Sequence, residues 1–196
     1  MHQDVMGARF CGEGFANWTV AKIIDIVNAN GFNTSDPLNR FAMPLAAASE
    51  MGIDPATAYP SRDKCLSHKF SDYYGTHECK AAWDVFFAEP ALWDDAGFHW
   101  EAVAAAFANR TSVLGYELLN EPWGNATLLH ASSDAQLLLP LYQALHRRIR
   151  RADNDTVIFY EAAVLNAQLG HGTDFPPGGP GGEEYNDRQA FRCAPP

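Results

Sequence analysis

Asn120-Glu121-Pro122 ends the apolar run Ser112–Leu119 and is followed by Trp123-Gly124. A carboxyl at the end of a buried strand, partly shielded by an indole, is expected to ionise above the ordinary glutamate range because burial penalises its charge. Protonated, such a group donates to a glycosidic oxygen. The amide of Asn120 suits a sugar 2-hydroxyl, a hydrogen bond that strengthens as an oxocarbenium-like transition state forms. The bland alternative for Glu121 is an acid opening a helix, where it interacts favourably with the macrodipole. His2 and Asp4 form a second polar pair, either lining the same site or making a strand-end hydrogen bond that orders a loop. Glu161, directly after Tyr160, is read as a supporting or structural acid, and Trp123 is held equally as a packing residue or a sugar-stacking one.

Other chemistries find no footing. His68, His77, His99, His130, His146 and His171 lack metal-ligand spacing, so no metal is expected. No Gly-x-Ser-x-Gly elbow occurs, and Gly178–Gly182 precedes no helical pattern and no Lys-Ser/Thr pair.

The elements that position these residues are those of an α/β fold. The first residues read as the end of a buried strand, followed by a turn through Gly7, Gly12 and Gly14. From Trp18 onward, Val20, Ile23, Ile24 and Val27 recur at helical spacing up to Asn30-Gly31. Residues 33–75 mix Pro, Ser, Asp and Gly and suggest a loop insertion. Helical patterns follow at about Ala81–Phe87 and Trp100–Phe107. The run Ser112–Leu119 predicts a strand buried on both faces. Asp134–Ala152 predicts an amphipathic helix that Pro140 kinks or divides, and Thr156–Tyr160 predicts the next strand. From about residue 170 to 196 the chain is rich in Gly and Pro, and no further strand is read there. Trp83, Trp93, Trp100, Phe86 and Phe87 are expected to pack helices on the sheet.

The chain has 196 residues, 47% of them hydrophobic, with a formal charge of -10. That suits one globular unit or part of one, and it repels phosphate backbones, so nucleic acid is not an expected partner. The basic run His146–Arg151 is read as the solvated end of a helix. No transmembrane segment or signal-peptide layout is present in the sequence. Sequons begin at Asn17, Asn33, Asn109, Asn125 and Asn154, which points to a glycosylated protein of the secretory pathway, secreted or lysosome-like. Cys11, Cys65, Cys79 and Cys193 allow three pairings, of which Cys65–Cys79, bracketing a polar loop, is the first expected.

Four stretches carry a family resemblance. Met1-His2-Gln3-Asp4, Phe10-Cys11-Gly12-Glu13-Gly14, Leu114-Gly115-Tyr116-Glu117-Leu118-Leu119-Asn120-Glu121-Pro122-Trp123, and Pro180-Gly181-Gly182-Glu183-Glu184-Tyr185 with Asp187-Arg188 resemble, in order, the motifs of endoglycoceramidases in glycoside hydrolase family 5. The resemblance implies a (β/α)₈ TIM barrel, here partial and covering roughly strands three to five. It implies retaining cleavage of the oligosaccharide–ceramide link of glycosphingolipids by two glutamates, with no cofactor. It also implies that Glu121 is the acid/base and that Asn120, His2 and Asp4 bind the sugar next to the scissile bond.

Two departures accompany the match. The family's nucleophile, at the end of its seventh strand, has no counterpart in this sequence, and Ala190–Pro195 lacks the family's His-x-Tyr. A complete barrel runs about 250 residues, and only about three strands are read, so an incomplete and inactive barrel is expected. The rival readings are a β-glucanase or mannanase, a non-catalytic carbohydrate- or glycolipid-binding remnant, and a secreted piece without an independent fold.

Overall fold

The computed structural model describes residues 1–30, 52–57, 59–74, 76–124, 134–164, 175 and 190–193. They divide into two compact units, His2–Ala88 and Met1 with Glu89–Pro196.

In His2–Ala88, helix α1 (Asn17–Asn30) buries Val20, Ile23 and Val27, the stripe its periodicity predicts, and leaves Trp18 exposed. Two short helices, α2 (Arg62–Cys65) and α3 (Phe70–Tyr74), occupy part of the segment read as an insertion-like loop. Helix α4 (His77–Ala88) presents Cys79, Ala82, Trp83 and Phe86 at helical spacing and packs on α1. The Trp83 ring meets Phe15 and Phe86 edge-on, each with centroids 5.5 Å apart, a geometry that aligns ring edges with ring faces.

The expected Cys65–Cys79 bridge is not formed. Cys65 pairs with Cys11, 54 residues away. Cys79 lies on the buried face of α4, where its position in the apolar stripe takes it away from the loop. Cys11 itself stands in the left-handed backbone region (φ 64°) at the end of a 3₁₀ turn, Ala8–Phe10. The start of the chain also departs from the expected strand. Gln3–Gly7 is buried, but beyond a bridge residue at His2 the backbone bends, with Met6 at φ 72°.

In the other unit, helix α5 (Trp93–Phe107) begins seven residues earlier than the pattern around Trp100 indicates and buries Ala96, Gly97, Trp100 and Ala104. Strand β1 (Gly115–Glu117) is much shorter than Ser112–Leu119. Residues Arg110–Val113 close a turn and Leu114 is 79% exposed, so only the second half of the apolar run joins the sheet. One wide, π-type turn, Asp134–Leu138, leads into helix α6 (Leu139–Ile149), with Pro140 near the junction. Proline lacks the N–H an interior turn would use, which explains the division there.

Strands β2 (Val157–Glu161) and β3 (Ala190–Cys193) complete a parallel sheet in the order β1-β2-β3, with Gly115 opposite Val157 and Glu117 opposite Phe159. β3 corrects the reading that no further strand follows from about residue 170 to 196. It adds one strand to the stretch expected from the resemblance.

Helix α5 packs against α6. The basic run His146–Arg151 is solvated at Arg147 and Arg151, both exposed, but its Arg148 ties α6 to α5. Arg148 reaches Asp94 at 2.5 Å and Glu101 at 3.3 Å, and its guanidinium lies 4.4 Å over the Phe98 ring. Gly97 makes room for it, since a Cβ there would stand 2.8 Å from Arg148 Cγ.

One face of the sheet meets these helices. The Trp100 and Tyr116 rings are 6.0 Å apart, and Tyr142 and Tyr160 6.1 Å. Strand alternation then places Gly115, Glu117, Val157, Phe159 and Glu161 on the opposite face. Gly115 is required there, because a Cβ would lie 2.4 Å from the Phe159 ring and 2.6 Å from the Val157 carbonyl oxygen.

Candidate active site

The ladder between β1 and β2 runs one bond past the strand, from the Leu118 N–H to the Phe159 carbonyl. Asn120 and Glu121 follow at once, at the C-terminal end of the strand. The Asn120 N–H donates to the Met1 carbonyl at 3.0 Å. Glu121 then takes a left-handed backbone conformation, φ 47°, which costs a residue with a Cβ about 1–2 kcal/mol. A local partner offsets this cost. The Glu121 N–H donates to Glu161 Oε2 at 2.6 Å, a charge-assisted bond of the stronger kind.

Glu161 is itself held from both ends. Its carbonyl accepts from the buried Tyr142 hydroxyl at 2.8 Å, and its carboxyl accepts from the Glu121 N–H. Burial first, then the charges of Glu117 and Glu121, push the Glu161 carboxyl above the ordinary glutamate range, against the pull of the Glu121 amide. Burial and the charges of Glu161 and Asp134 likewise push the Tyr142 phenol well above its usual value.

Just beyond, Val164 N–H donates to the Pro122 carbonyl at 2.7 Å and Ala163 N–H to Asp134 Oδ1 at 2.7 Å. The segments following β1 and β2 are thus tied to each other and to the π-type turn.

The shielding of Glu121 by Trp123 expected from the sequence is absent: Glu121 is exposed, whereas Trp123 is only 9% exposed. Burial to that extent favours packing over sugar stacking for the indole. A solvent-facing carboxyl on an anchored backbone is suited to exchanging a proton with a group bound in front of it.

His2 and Asp4 belong to the other unit. Asp4 is buried there, and both of its oxygens are engaged: Oδ1 accepts from the Tyr74 hydroxyl and Oδ2 from the Glu13 N–H. Its carbonyl accepts from the Trp83 indole N–H at 3.1 Å. These contacts order the Gly12–Gly14 loop, where a Cβ on Gly12 would lie 1.9 Å from Val5 Cγ2. His2 is half-buried.

Sequence reasoning named Glu161 without a partner and missed Glu117. The available signal was its position, an isolated acid on the same strand face as Gly115 in an otherwise apolar run. Among the described residues no group of three or more His, Cys, Asp and Glu is arranged to hold a metal ion, and no helix is long and apolar enough to cross a membrane.

Of the sequon asparagines, Asn109 and Asn154 are exposed. Asn17 is half-buried and its amide donates to the Thr57 carbonyl at 3.0 Å, so it departs from the exposed placement a glycan needs. Asn33 and Asn125 lie outside the described residues.

Comparison with known proteins gives the family and the fold. Residues 65–190 match the family model described as cellulase, glycosyl hydrolase family 5. The chain is 33% identical to an endoglycoceramidase of Cyanea nozakii and 34% identical to one of Hydra vulgaris, in each case over 97% of its own length. It spans about a third of those relatives, 36% and 35%. It also resembles the solved endo-glycoceramidase II of Rhodococcus sp. in its lactosyl-enzyme intermediate, with a TM-score of 0.63 at 21% identity, covering 98% of this chain and 38% of that one. The α/β sheet and helices are thereby part of a (β/α)₈ barrel.

Proposed function

On the premise that this chain belongs to glycosyl hydrolase family 5, we propose that it carries the acid/base portion of a retaining glycosidase acting on glycosphingolipids. The carrying observation is Glu121 at the C-terminal end of a barrel strand, where such folds place their chemistry, with its backbone held in a left-handed conformation by Glu161. In this reading Glu121 protonates the departing aglycone oxygen and later deprotonates the attacking water, and Asn120 holds the sugar 2-hydroxyl.

Retention needs a second carboxylate about 5 Å from the first. Glu161 is not that group, because its oxygen is committed to the Glu121 amide. The isolated chain is therefore proposed to bind oligosaccharide without turnover. The likeness to endoglycoceramidases across 97% of the chain supports a glycolipid substrate. A β-glucan is the second reading, favoured by the description of the family as cellulase. The Cys11–Cys65 bridge and the exposure of Asn109 and Asn154 support an oxidising, secretory compartment.

The test is to titrate the labelled chain with ganglioside oligosaccharide and with cello-oligosaccharide while following amide shifts, then to incubate it with fluorescent ganglioside and aryl β-glycosides. Shifts centred on Asn120 and Glu121 for the ganglioside sugar, weakened in Asn120→Ala and without hydrolysis, are expected. Shifts confined to other residues refute the site. Turnover that vanishes in Glu121→Gln refutes the absence of a nucleophile.

A further inference from the structure

Glu161 takes no part in the chemistry of the reading above, yet it shares a sheet face with Glu117 next to Glu121. We propose that Glu161 is a positioning residue, its carboxyl fixing the backbone of Glu121.

The argument starts from register. Glu117 is opposite Phe159, so Glu161 is one alternation further along the neighbouring strand and on the same face. From there its Oε2 reaches the Glu121 N–H at 2.6 Å. The Glu121 N–H lies past the last ladder bond, Leu118 to Phe159, and is directed to Glu161 of β2 instead. Tyr142 fixes the other end of the same residue through its carbonyl.

The consequence for catalysis rests on the acid/base reading of Glu121. The positioning itself does not.

The experiment therefore reads the Glu121 amide in the 196-residue chain by NMR, with no substrate. A downfield, slowly exchanging Glu121 N–H is expected in the wild type and in Glu161→Gln, whose amide oxygen remains an acceptor. In Glu161→Ala its exchange should accelerate at least tenfold, while the Leu118 N–H, bonded to Phe159, stays protected and excludes general unfolding. Carboxyl carbon shifts should show Glu161 titrating above the ordinary glutamate range, and moving down in Glu117→Gln, which removes a neighbouring negative charge. An unchanged Glu121 amide in Glu161→Ala overturns the positioning. If Glu161→Ala unfolds, Glu161→Gln decides: loss of Glu121 protection there, with Leu118 still protected, overturns the proposal. Absence of sugar-induced shifts would sink the glycosidase reading and leave these results standing.

Discussion

Replacing Asp153 with asparagine should remove a pH-dependent share of the stability of the strand pair that carries Glu121. Asp153, 5% exposed, follows α6 and precedes β2. Oδ1 accepts from the Asp155 and Thr156 amides, both at 3.0 Å, and Oδ2 from the Thr156 hydroxyl at 2.6 Å and the Tyr116 hydroxyl at 2.8 Å. Burial opposes ionisation, but these bonds outweigh it and hold the carboxyl down at about 2, against an ordinary 3.8. The difference corresponds to roughly 2 kcal/mol of folding free energy. Because the folded value is depressed, this stability is present above about pH 4 and is lost as pH falls toward 2. Asp153→Asn preserves shape and most hydrogen bonds but cannot ionise. Urea unfolding followed by tryptophan fluorescence, with Trp100 packed beside Tyr116, should show the variant roughly 2 kcal/mol less stable at pH 6. The gap should close almost fully by pH 2. A gap that stays constant across this range would show that hydrogen-bond geometry, not charge, carries the contribution, and the linkage argument would fail.

Three further outcomes are expected. Gly115→Ala should destabilise by about 2–3 kcal/mol, because the new methyl overlaps the Phe159 ring and the Val157 carbonyl; an unchanged urea midpoint would contradict the close approach. Reducing the Cys11–Cys65 bridge, which closes a loop across 54 positions, should cost about 4 kcal/mol if loop entropy dominates, measured as unfolding with and without reductant. Tyr142→Phe removes the donor to the Glu161 carbonyl and should lower stability by about 1 kcal/mol, seen as a fall of a few degrees in the thermal midpoint.

Those parts of the fold governed by local pattern were legible in the sequence. The stripe of α1, the division at Pro140 and the position of β2 follow from apolar spacing and from proline chemistry. Misreadings arose where tertiary context decides. Val113 and Leu114 have strand propensity, but the preceding turn keeps them off the sheet. Ala190–Cys193 contains an arginine and no strong alternation, and it becomes a strand by pairing with β2. The bridge joins Cys65 to Cys11 because helical phase buries Cys79, which proximity along the chain does not reveal. At the candidate site the strand-end position of Glu121 was legible. Its left-handed backbone and its bond to Glu161 were not, since the bond depends on register between strands 40 residues apart.

The left-handed backbone at Glu121 also sets its evolutionary tolerance. Glycine and asparagine adopt that conformation readily, so either would relax the chain at this point while removing the carboxyl. Stability and chemistry therefore pull position 121 in opposite directions. On the acid/base reading of Glu121, a lineage in which hydrolysis no longer mattered should drift toward those two residues, while the N–H of position 121, which either keeps, would still bind Glu161.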